Sequence, residues 1–134
     1  MADLSITASN VVPDAAANIE TVTAGEEIQA GEPIYQDAST QKYLLADAST
    51  IAEAAAFGIA CNHAYLDQPV TAIRSGGLAM GSILTTGTVY CVSATEGGIA
   101  PVADLSSGES VTILGAATTT SKLSVRINRT GVTI

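Results

Sequence analysis

Along most of this chain apolar and polar residues alternate in short runs, and glycine, proline or Ser/Thr clusters interrupt them about every 8–12 residues, the spacing of an all-β protein. Leu4, Ile6 and Ala8 fall on one side of the first run, with Ser5, Thr7 and Ser9 on the other, so residues 2–12 read as extended. Pro13 and the Ala-rich stretch to Asn18 break the run, and a second extended segment covers 19–24. Residues 1–24 therefore read as an extended N-terminal arm. It offers Leu4, Ile6, Ala8, Val11 and Val12 to a strand edge outside the domain, or else forms an ordinary edge strand of the domain itself. A single β domain is expected over 25–134. Within it the pattern predicts strands at 33–38 and 42–46, then 57–61, 69–74 (closed by Gly76-Gly77) and 78–80. Further strands are predicted at 88–93, 99–102, 111–116, 123–128 and 132–134. The Ala-Glu-Ala-Ala-Ala run predicts one short helix over 50–56, capped by Asp47 or Ser49. The fold class is all-β, a small β-barrel or sandwich of many short strands.

The segment from Thr23 to Asp37 has a shorter echo. Ile28-x-x-Gly31-x-x-Ile34-Tyr35 returns as Leu84-x-x-Gly87-x-Val89-Tyr90. Gly58 follows the first copy as Gly115 follows the second, and an alternating stretch ending in glycine comes after each. Three matched features in the same order predict two related halves, offset by roughly 56 residues. Tyr35 and Tyr90 then fill matching places as core or interface anchors.

Composition sharpens this picture. The chain is 47% hydrophobic but only 4% aromatic, with no Trp, so its core is built from Val, Ile, Leu and Ala. Charged residues make up 13%, against about a quarter in an ordinary domain, and such a surface suits a protein that packs against others. The net charge of −8 is unevenly spread: residues 1–69 hold ten acids and one Lys, whereas 70–134 hold three acids and four bases. A duplex-DNA binder needs a basic stripe, and the only candidate here is Lys122, Arg126 and Arg129, so nucleic acid is not expected as a partner. Lys122, Ser124 and Arg126 share a strand face, which is either simply solvated or meets an acidic surface, including that of a neighbouring copy. No apolar run approaches a membrane span and the N-terminus lacks the features of a signal peptide, so neither a membrane nor a secretory route is expected.

Candidate chemistry is sparse. Cys61 and Cys91 are expected to be free thiols. His63 is the single histidine, and Cys61, His63 and Cys91 together supply three ligands where structural zinc takes four, so no metal site is expected. Glu26, Glu27, Glu32, Asp37 and Asp47 lie in turns without the spacing of a catalytic carboxylate pair. Ser75-Gly76-Gly77 and Glu96-Gly97-Gly98 open no helix and lack the Gly-Lys-Ser/Thr of a phosphate loop. Catalytic residues and cofactors are accordingly expected to be none.

After the extended arm, the chain carries AGEPIYQD, KYLLADA, AFGIACNHA, QPVTAIRSGG, TTGTVYCVSATEGGIAP and ILGAATT in order. This succession resembles the capsid cement (head decoration) proteins of tailed bacteriophages, over roughly Ala24 to Val125. The resemblance implies a non-enzymatic structural protein of the virion. It implies a small β-barrel-like fold made in the host bacterial cytoplasm and placed on the outer surface of the expanded head. Its partner is then the major capsid protein, and its own state a homotrimer. Cys61, His63 and Cys91 depart from the small residues expected at those places. The alternative is a phage tail or fibre module binding a host-surface glycan. That reading calls for exposed aromatic platforms, and the chain has one Phe, four Tyr and no Trp.

Overall fold

The structure, a computed structural model, describes residues 3–134. Ten antiparallel strands form one sheet that curls into a half-barrel. They are β1 (Val12–Pro13), β2 (Asn18–Thr23), β3 (Pro33–Gln36), β4 (Tyr43–Leu45), β5 (Gly58–Ala60), β6 (Pro69–Ala79), β7 (Val89–Val92), β8 (Ile99–Pro101), β9 (Ser110–Ala117) and β10 (Lys122–Thr133). The all-β expectation is met.

Two halves with the same connectivity make up the sheet. The first runs β4-β3-β5-β6 and the second β8-β7-β9-β10, and the halves join where β6 pairs antiparallel with β10. In the first half Ile34 faces Gly58 across β3 and β5; in the second Tyr90 faces Gly115 across β7 and β9. Tyr90 therefore takes the place of Ile34, not of Tyr35. Both Ile34 and Tyr90 are fully buried, while Tyr35 lies half-buried on the other face of its strand. The sequence alignment of the two tyrosines is thus off by one residue, and one residue reverses the face of a strand side chain.

The two matched glycines do the same work. A Cβ on Gly58 would lie 2.6 Å from the Ile73 carbonyl oxygen of β6, and a Cβ on Gly115 would overlap the Ser124 carbonyl oxygen of β10. Each lets its strand approach the long neighbouring strand more closely than a side chain allows.

Long β6 is the hinge of the architecture. Ile73 pairs with Ile19 of β2 and with Ile59 of β5, so those strands flank it on opposite sides. Ser75 pairs with Asn18 of β2 and with Arg126 of β10, which puts β10 on the same side as β5. Two sub-sheets therefore diverge from one edge of β6, and β1 and β2 line the other. Gly76, at φ +111°, sits at the point of divergence. The sequence reading ended the strand at Gly76-Gly77, yet β6 runs through both to Ala79. Likewise β10 continues through Gly131, with irregularities between Val125 and Asn128 and between Arg129 and Val132. Glycine bends these strands without ending them.

The main core fills the curl with Ile59, Ile73, Leu78, Tyr90, Val92, Ile99, Leu114 and Leu123. Each fully buried aliphatic side chain contributes about 1.5–3 kcal/mol. A second cluster under β2–β4 gathers Ile28, Ile34, Tyr43 and Val70 around small alanines, with Phe57 edge-on to Tyr43 at 4.8 Å. The predicted helix is a single turn, α1 (Ile51–Ala54). It is capped by Thr50, whose Oγ1 accepts from the Glu53 N–H at 3.1 Å and donates back to the Glu53 carboxylate at 3.0 Å. Asp47 instead holds the turn before it, accepting from the Ser49 N–H at 2.9 Å.

Candidate functional site

The residues expected to form a partner-binding arm lie mostly on their own domain. The Leu4 N–H donates to the Ile99 carbonyl at 2.8 Å, which places the segment along β8. Leu4, Ile6 and Ala8 pack against the main core, and Val11 is buried in it. Gly31 makes room for Ile6, whose Cγ2 would be 2.6 Å from a Cβ there. The expected strand over 2–12 is absent among the described residues: Ala8–Asn10 forms a 3₁₀ turn, and strand pairing begins at Val12. Alternation in the sequence marks the apolar face of this segment, and the surface which that face meets is the chain's own β-domain. Only Val12 of the five points outward, at 56% exposure. The stretch drawn as an arm, 1–24, also includes β1 and β2, which belong to the sheet through β6.

Beyond them lies an open edge. β2 pairs with β6 on one side, and among the described residues no strand pairs with its other side. All six of its residues but Val22 are exposed, including Ile19 at 48%. The ladder is irregular between Asn18 and Ile19 and regular from Ile19 to Thr23, and an exposed edge of that length is a template for another strand.

The predicted basic face is divided. Lys122 reaches Asp14 at 2.5 Å and is committed to the β1–β2 connection. Arg126 lies on the same outer face of β10 and, among the described residues, makes no hydrogen bond or ion pair. Arg129 turns to the opposite sub-sheet, where its Nε donates to the Ala56 carbonyl at 2.8 Å. That bond crosses the fork between β10 and the start of β5. A groove of about 430 Å³ opens there, with Phe57, Arg74, Asn128 and Arg129 in its walls. Arg74 lies 3.9 Å over the Phe57 ring and pairs with Glu20 at 2.5 Å. A second, contiguous groove of about 590 Å³ shares Ile127 and Asn128 and includes Arg126. The sequence pattern marks Arg126 and Arg129 but not Arg74. No local signal joins them, because their proximity comes from the β6–β10 pairing.

Cys61, His63 and Cys91 do not assemble. The Cys61 thiol donates to the Ile59 carbonyl at 3.6 Å and the Cys91 thiol to the Ala100 carbonyl at 3.3 Å, each within its own hairpin region. Burial, reinforced by Glu109, Asp104 and Asp3, pushes the Cys91 thiol up to about 12. His63 faces the surface, 2.8 Å from Glu27 and edge-on to Tyr65 at 4.6 Å. Among the described residues no group of three or more His, Cys, Asp or Glu is placed to hold a metal ion. The acids are nonetheless close enough to affect one another. Desolvation first, and then Glu26, Glu27 and Glu96, raise the Glu32 carboxyl, although the Gln29 N–H bonds it at 2.7 Å and opposes the shift. No helix among the described residues is long and apolar enough to cross a membrane. Compared with protein-family models and with curated protein sequences, the chain matches none.

Proposed function

We propose that this protein is a structural component of a tailed-phage virion, a cement protein that binds the outer surface of the expanded head and stabilises it. The observation that carries the reading is the open β2 edge on a surface with few charges. Natural β proteins blunt long regular edges with charge, proline or a covering segment. Here residues 4–11 pack on the main core and leave β2 uncovered; the one charge on β2, Glu20, is already paired with Arg74, and Ile19 stays exposed. An edge left open in this way fits a protein whose working state is assembled. The order of glycine-bounded segments that resembles the phage cement family supplies the partner: the major capsid protein, an exposed strand of which β2 would extend through main-chain hydrogen bonds. Many copies on a symmetric shell make individually modest contacts add through multivalency, and binding only the expanded shell stabilises that shell by mass action. A homotrimeric working state belongs to the same proposal.

The test is heat rupture of DNA-filled heads prepared without the protein, followed by dye access to the DNA. Added wild-type protein should raise the rupture temperature, whereas Ile19→Lys, which places a charge on the open edge, should lose the effect while keeping its own melting temperature. Heads that rupture at the same temperature with and without the wild-type protein would contradict the proposal.

A further inference from the structure

All three arginines of the chain, Arg74, Arg126 and Arg129, line two contiguous grooves that meet at Ile127 and Asn128. In a chain of net charge −8, this gathers most of the positive charge in one place. The backbone explains why the place exists. β10 pairs with β6 only from Lys122 to Arg126 and then leaves it, while Asn128 and Arg129 remain paired to β9 on the other side. Among the described residues, the ladder side of β10 that faced β6 is thus without a strand from Ile127 onward.

The arginines are differently committed. Arg74 is fixed by stacking on Phe57 and already holds one carboxylate, that of Glu20, at 2.5 Å. Arg129 is anchored through Nε to the Ala56 carbonyl, which leaves its terminal nitrogens for another acceptor. Arg126 has no partner among the described residues. Guanidinium groups match carboxylates in planar, two-point geometry, and Arg129, anchored through Nε, loses little freedom when it binds.

We infer that this fork is a docking site for an acidic protein segment, whose Asp or Glu side chains pair with Arg126 and Arg129 beside the existing Arg74–Glu20 pair. The inference goes beyond the proposed virion role and does not depend on it, since the ligand class follows from the arginines and the fork. A polyanion such as nucleic acid is the weaker fit. Its charge extends well beyond the grooves and would also meet the acidic remainder of the chain.

The experiment is an amide-shift titration of the full chain by NMR with hexaglutamate as probe. Saturable shifts centred on residues 126–129 and 74–75 are expected, weakening as salt is raised. Arg126→Gln, which removes a group with no structural partner, should weaken binding at least threefold, and Arg126→Glu with Arg129→Glu at least tenfold. Lys42→Glu, a charge change away from the fork, should stay within twofold. Melting curves identify any variant that has lost its fold, and the Arg126→Gln result then decides alone. Shifts spread over the surface, equal binding of hexaglutamine, equal loss in Lys42→Glu, or tighter binding of an oligothymidylate at the same residues would each overturn the assignment.

Discussion

Replacing Gly115 by alanine tests the packing of the sheet at its tightest point. The added Cβ would overlap the Ser124 carbonyl oxygen and stand 2.9 Å from the carbonyl carbon and 3.1 Å from the Val125 Cα. All three are backbone atoms of the paired strand, so no rotamer change relieves the contact. β9 and β10 must separate by about an ångström at Val125–Gly115 and Ser124–Ala116. Overpacking of this kind costs about 1–3 kcal/mol, and weakening an adjacent ladder hydrogen bond adds about 1 kcal/mol, for a total of about 2–4 kcal/mol. At about 2.1 cal/mol/K of unfolding entropy per residue, a chain of this length loses about 3.5 °C per kcal/mol, so Tm should fall by about 7–14 °C. Gly58→Ala should fall less, because its Cβ meets the Ile73 carbonyl oxygen at 2.6 Å. Gly87→Ala is the reference. Nothing lies within 4 Å of a Cβ there, and its only cost is the left-handed φ of +85°, about 1–2 kcal/mol. Thermal and urea melts of the three variants should rank Gly115→Ala as the most destabilised. A Gly115→Ala protein as stable as Gly87→Ala would refute the reading of these glycines as sites of close strand approach.

Three further outcomes are expected. Tyr90→Phe removes the hydroxyl that accepts from the Thr85 N–H at 2.9 Å and leaves a partly buried donor unmatched; urea melts should show a loss of about 1–2 kcal/mol. Cys91, buried and with its thiol pushed up to about 12, should react with a disulfide reagent at pH 8 only as fast as the protein unfolds, whereas half-buried Cys61 should react sooner. Glu32 has its folded carboxyl raised above the ordinary 4.5, so in the window just above that value the folded state binds more protons than the unfolded state. Its contribution to stability therefore grows as pH falls from neutral through that window, and Glu32→Gln should flatten this part of the Tm-against-pH curve.

Much of the fold is legible in the sequence, for physical reasons that also set the limits. The hairpins at Pro33–Leu45 and Val89–Pro101 are marked by alternation and turn residues, which are local signals, and the repeated glycine order foretold the shared strand order of the halves. Glycine misled where it bends a strand, at Gly76 and Gly131, because permissive backbone serves a bend as well as an end. Alternation at Leu4 and Ile6 marks an apolar face, yet alternation does not name the surface which that face meets; both side chains lie partly buried against the main core. The arginine fork was least legible: Arg74 and Arg129 are far apart in sequence and meet only through the register of β6 with β10. The open edge of β2 is likewise a property of what does not pair beside it, and no residue in Asn18–Thr23 announces that.

The central claim, attachment to a matured head, is tested most directly by co-sedimentation of the purified protein with expanded and unexpanded heads. The account predicts saturable binding to expanded heads alone, with a plateau set by the symmetry of the shell. Equal binding to both forms, or binding to neither, would contradict it.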